Sequence, residues 1–178
     1  MKKAIFYCFL LIVYCLFPRL AYADYVLPYP SYMPGNKMYT VSRIADQLKK
    51  FWYWGNIAQT KYHLSLSDKY LVEAKTLFEY QQYLLAVDAL HQSDLEIQQL
   101  IGSIHRAEKK FKNMKVYRQI IFDAMASHQV VLQKLIQELP IEFLWKPEHS
   151  EAQLLRIRQE LINAQTIRLD MSNKILNE

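Results

Sequence analysis

Residues 114–140 read MKVYRQIIFDAMASHQVVLQKLIQELP, and the fold follows from how this stretch is patterned. Met114, Tyr117, Ile121, Met125, His128, Leu132, Leu135 and Leu139 recur at steps of three and four, so they share one face of a helix. Pro140 cannot continue the helix and stops it. A heptad-like seam of this kind is what helices packed nearly antiparallel require.

The same period extends outward in both directions. Upstream, Val87, Leu90, Ile97, Ile101, Ile104 and Phe111 form a stripe interrupted by Asp94 and Glu108. Downstream, Leu154, Ile157, Leu161, Ala164, Met171 and Ile175 form another. The spacing predicts five helices over about 38–54, 57–81, 83–111, 115–139 and 150–176. Gly55 reads as the C′ residue of the first. Asn56 and Gln59 are spaced like a capping box for the second. Residues 112–115 carry neither Gly nor Pro, so one long bent helix is the alternative for the third and fourth. A connector over 140–149 carries Phe143, Trp145 and Pro147. No alternating stretch is long enough for a sheet. The expected fold is therefore all-α: an antiparallel bundle of about five helices, one domain over 38–178, with short connections that make sequence neighbours spatial neighbours.

Composition agrees with few, long helices. The chain has 178 residues, 52% hydrophobic and 22% charged, with only 3 Gly and 6 Pro. So few turn residues exclude a many-stranded fold and a Gly-rich phosphate loop, and with them P-loop and Rossmann enzymes. The formal charge is +5. Lys2, Lys3 and Arg19 contribute three of those charges, so the chain beyond residue 23 is nearly neutral and carries no footprint for nucleic acid.

Residues 1–23 read as a secretory signal peptide. Lys2 and Lys3 open it, Ala4–Phe17 is an uncharged apolar run, and Pro18-Arg19 break that run. Ala21 and Ala23 are the small residues a signal peptidase reads, which sets cleavage before Asp24. An uncleaved N-terminal anchor is the alternative, although the run is short for a span. The implied location is extracytoplasmic: secreted, periplasmic or at the cell surface. Cys8 and Cys15 both lie in this leader, so the remaining chain has no thiol for a disulfide, a metal or nucleophilic catalysis.

Residues 24–37 form an extended segment punctuated by Leu27-Pro28-Tyr29-Pro30 and Met33-Pro34-Gly35-Asn36. These motifs, with Met38-Tyr39, Lys61, Leu64, Leu66 and the run Ser67-Asp68-Lys69-Tyr70-Leu71-Val72-Glu73-Ala74, resemble a bacterial family of secreted or membrane-anchored helical domains of unknown function. That family has a leader of the type Leu-Pro-x-Pro-Gly-x-Leu-Pro-Asp-x-Pro-Leu-Tyr and a helix of the type Leu-x-Leu-Ala-Asp-Lys-Arg-Leu-x-Glu-Ala. The resemblance covers about 27–78 and is weaker over His128–Pro140. Ser31, Asn36 and Tyr70 depart from the pattern. The resemblance implies an extracytoplasmic helical domain, similar in some members to the outer parts of membrane regulators. It carries no catalytic residue.

Several residues could bear function. His105 and Glu108 are one helical turn apart, as are Asp88 and His91, which is the spacing of bundle metal sites; His91, His105 and Glu108 are the metal candidates. The alternative is a histidine beside a solvated acid, with no cofactor. His128, on an apolar face, reads as a core residue with one hydrogen bond, or as a pH-responsive group. Glu73 needs a partner once buried, and Arg43 on the first helix is the nearest choice. Phe51-Trp52-Tyr53-Trp54 point in every direction, so they either cap the bundle against Phe143 and Trp145 or remain exposed for a partner. Tyr25, Tyr29 and Tyr32 are expected along the bundle surface, or on a docking partner. Lys109, Lys110 and Lys112 lie in a basic run with Arg106, Lys115 and Arg118, which reads as a solvated turn or as a contact to anionic headgroups or wall polymers.

The expected function is a non-catalytic binding module of the bacterial cell envelope. Its partner would be an envelope protein or surface polymer, with membrane-surface contact and self-association both compatible. The partner-binding candidates are Phe51, Trp52, Trp54, Tyr29, Tyr32, Lys109, Lys110 and Lys112. The alternatives are a metal or small-ligand sensor and an envelope-polymer hydrolase. The last is disfavoured, because no nucleophile turn exists and Ser65, Ser67, Ser93 and Ser103 fall within helices.

Overall fold

A computed structural model describes residues 25–110, 114–148 and 151–177. The leader with Ala21 and Ala23, and Lys112, lie outside the described residues. The architecture is an all-α bundle: α1 (Lys37–Trp52), α2 (Asn56–Glu79), α3 (Tyr83–Glu108), α4 (Lys115–Glu138) and α5 (Ile157–Asn177). A two-stranded antiparallel sheet, β1 (Phe143–Trp145) on β2 (Gln153–Leu155), sits between α4 and α5.

That sheet corrects two expectations. The connector forms strands of three residues, too short to show an alternating pattern. The last helix accordingly starts at Ile157, not near 150, with Arg158 N–H donating to the Ile141 carbonyl (3.1 Å). Trp145 packs on the apolar core, while Phe143 lies 4.6 Å from the Tyr83 ring, centroid to centroid.

Helix ends differ from the sequence reading as well. α1 stops at Trp52 with Tyr53 as its cap, so Gly55, at φ 101°, opens α2 instead of closing α1. The expected capping box at Asn56 is absent. Asn56 is already helical, and its side-chain Nδ2 donates to the Arg106 carbonyl (2.8 Å). The α2–α3 turn is a Schellman motif: Gln82 N–H bonds the Leu77 carbonyl (2.9 Å) and Gln81 N–H the Phe78 carbonyl (3.0 Å). Gln81 holds the left-handed position, φ 59°, where glycine is usual.

α2 packs on α3, α4 on α5, and both pairs close on one another. α2 is buried nearly all round. The core is divided into two apolar halves. One contains Leu71, Leu77, Phe78, Leu90, Leu132, Ile157 and Leu161. The other contains Leu64, Ile97, Leu100, Ile121, Met125 and Met171. Between them every helix of the two pairs contributes polar residues at one level: Ser67 and Asp68, Ser93 and Asp94, His128, and Arg168.

Candidate interaction surface

The buried polar level is fully knit. Arg168, with no exposed surface, donates to Asp94 (Nη1 to Oδ1, 2.5 Å), Ser93 (2.8 Å), the Ala164 carbonyl (2.8 Å) and His128 Nδ1 (Nε, 3.2 Å). His128 Nδ1 therefore accepts, and Nε2 donates to Asp68 Oδ1 (2.8 Å). Tyr25 donates to the other Asp68 oxygen (2.6 Å), and Ser127 donates to the Tyr25 carbonyl (3.0 Å). Burial drives the His128 pKa below its ordinary value and that of Asp94 above it. Burial also lowers Arg168 and raises Tyr25. His128 and Arg168 have no exposed surface and Asp94 very little, so the cluster organises the core.

α1 is the outward-looking element, and its polarity is reversed. Its charged face is turned inward, onto α2. Tyr39 donates to Glu73 (2.8 Å), Arg43 Nε to the Tyr39 hydroxyl (3.0 Å), and Arg43 Nη2 lies 3.7 Å from Glu73 Oε1. The Arg43 guanidinium also sits 4.4 Å above the Tyr70 ring centroid. One turn on, buried Asp46 pairs with Lys69 and Lys49, Lys69 also donates to Ser42 (3.0 Å), and Tyr62 donates to the Asp46 carbonyl (2.7 Å). Burial pushes the Tyr62 hydroxyl up to about 12. Asp46 is the only buried residue of the helix.

The opposite face is apolar and open. Met38, Val41, Ile44 and Leu48 are each about half exposed, then Phe51 is 74%, Trp52 84% and Trp54 86% exposed. The expectation that the aromatic run caps the bundle against Phe143 and Trp145 is therefore corrected. Phe143 and Trp145 are occupied elsewhere, and only Tyr53 turns inward, its ring 5.2 Å from that of Tyr62. The Trp54 indole N–H bonds the Phe51 carbonyl, which fixes its ring beside the end of α1.

The sequence candidates converge at this end. The Asn56–Arg106 hydrogen bond brings the C-terminus of α3, with exposed Lys109 and Lys110, beside the Trp54–Gly55 turn. Exposed Lys37, Lys49 and Lys50 lie on α1, whose one acid, Asp46, is buried and paired. Tyr29 and Tyr32, both exposed, line an open groove of about 320 Å³ between the proline segment and α1, with Tyr53, Tyr62, Lys49 and Lys69. Tyr25 instead reaches inward to Asp68, a role its position gave no sign of.

The metal candidates are engaged otherwise. His91 bonds Glu160 of α5 (2.9 Å), not Asp88. Glu108 is held by Arg118 (2.6 Å), while His105 lines a small pocket with Glu108 and Lys174. Among the described residues no three of His, Cys, Asp and Glu converge. Arg168 and Asp68 escaped the sequence reading. The available signal was an Arg inside the Leu161–Ala164–Met171–Ile175 stripe.

Among the described residues no helix is long and apolar enough to cross a membrane. Compared with family models, curated proteins and solved structures, the chain matches none.

Proposed function

We propose that the chain is a non-catalytic interaction module of the bacterial cell envelope, exported by its leader, and that α1 is its contact element. One observation carries this reading. α1 meets its own bundle through charges and hydroxyls and leaves Val41, Leu48, Phe51 and Trp52 to solvent. Contiguous apolar surface of this kind on a folded chain marks an interaction site. The likeness of residues 27–78 to secreted helical domains supports the same compartment.

The test is site-specific photo-cross-linking in the native host. A photoreactive residue at Val41 or Leu48 gives discrete adducts with protein, polymer or lipid, and one at exposed Gln133 on α4 does not. Adducts absent from α1, or equal from both helices, would overturn the reading.

A small-ligand sensor is the second reading, favoured by the tyrosine-lined groove beside Tyr29 and Tyr32. A ligand of that groove raises the melting midpoint by mass action, and Tyr32→Ala abolishes the rise.

A further inference from the structure

We infer that the outer face of α1 docks flat on an anionic lipid bilayer, an inference that rests on the interaction-module reading and names its partner. The apolar side chains alone would suit several occupants. The charge around them selects this one. Every exposed charge of α1 is a lysine, at positions 37, 49 and 50; its one carboxylate, Asp46, is buried between Lys69 and Lys49, so two cations share one anion there. The neighbouring turn adds exposed Lys109 and Lys110, held there by the Asn56–Arg106 hydrogen bond.

A helix that is apolar on one side, carries lysines in its first and last turns and is ended by tryptophans has the composition of an interfacial helix. Trp52 and Trp54 suit the headgroup level, where one edge of the indole is wet and the rest is apolar. In the usual interfacial helix the charged face meets water. Here the bundle takes that place: Tyr39, Arg43 and Asp46 are spent on α2, so the domain itself is what the helix holds at the surface. A second copy of the chain would instead bring the lysines of one helix against those of the other, which is repulsive. An extended acidic protein would satisfy the lysines but not Val41 and Leu48 together.

The test uses the chain as purified from its host and vesicles of phosphatidylcholine with or without phosphatidylglycerol. The leader contains no tryptophan, so tryptophan emission reports the folded domain whether or not the leader is retained. Phosphatidylglycerol vesicles shift the emission to shorter wavelength, and brominated lipid quenches it. The response weakens as salt rises. Binding falls about fivefold for each of Lys37, Lys109 and Lys110 changed to Gln. It is lost in Leu48→Glu, whose unchanged melting midpoint shows that the fold is kept.

No spectral response to phosphatidylglycerol, or an equal response to phosphatidylcholine alone, overturns the inference. If vesicles fail and the chain sediments as a dimer that Leu48→Glu dissociates, the lipid assignment falls and the interaction face stands, covered by a second copy. If vesicles fail and Val41 and Leu48 also give no cross-links in cells, both fall.

Discussion

Arg168 of α5 and Asp94 of α3 meet at 2.5 Å inside the bundle, the guanidinium with no exposed surface at all. Such a pair is tolerable because nothing in it is left over: the Arg168 donors also reach Ser93, His128 and a carbonyl of their own helix. Removing one partner leaves the other charge buried and uncompensated. Asp94→Ala should cost about 3–5 kcal/mol in chemical denaturation. Asp94→Leu combined with Arg168→Met should recover most of that loss. Equal losses in the single and double variants would contradict this account.

His128 makes stability depend on pH. In the native state its Nδ1 accepts from Arg168 and its Nε2 donates to Asp68, and burial holds its pKa below the ordinary 6.5. Below about pH 6.5 the unfolded chain takes up a proton that the native chain refuses, so stability falls as pH drops from there toward the folded value. Asp94, raised above 3.8, acts with the opposite sign: its contribution is lost as pH rises from 3.8 through its folded value. His128→Gln keeps a donor for Asp68 and should flatten the profile just below pH 6.5. An unchanged slope in that variant would dismiss His128 as its cause.

The two sides of α1 should respond differently to substitution. Val41→Ser and Leu48→Ser touch an open face and should change stability by less than about 0.5 kcal/mol. Leu71→Ala, at a site with no exposed surface, should cost about 2–5 kcal/mol. A loss above about 1 kcal/mol at Leu48 would mean that the face is covered in solution.

Gln81 occupies a left-handed position at the end of α2. Relief of that conformation is worth about 1–2 kcal/mol, and the freer unfolded chain returns about 0.4–1 kcal/mol of it. Gln81→Gly should therefore raise stability by roughly 0.5 kcal/mol, whereas β-branched Gln81→Val should lower it. The thermal midpoints of the two variants check the sign.

The apolar stripes at 87–104 and 114–139 made the bundle readable, because burial of one helical face leaves a period of three and four. Asp94 and His128 stood out as polar residues on those stripes. Their partners did not, since Arg168 and Asp68 are joined to them only by the crossing of helices, which a linear period does not record. The strands were invisible because three residues hold barely one alternation. α1 packs by polarity and not by an apolar stripe, for a physical reason. The surface it meets on α2 presents Glu73, Lys69 and the Tyr70 ring, and these select its charged side, as the expected Arg43–Glu73 pairing requires.

The polar level between the two halves of the core is also divided between anions and the groups that donate to them. The α2–α3 hairpin contributes two carboxylates, Asp68 and Asp94, while the α4–α5 hairpin contributes the imidazole of His128 and the guanidinium of Arg168. Each hairpin is thus a poor mate for a copy of itself: acid would be buried against acid, or Arg168 against Arg168. The arrangement works as a code of mating types, in which the only hairpin that can silence one set of charges is the other half of the same chain. Exchange of hairpins between two molecules would preserve that pairing, whereas homotypic stacking of nascent halves would not.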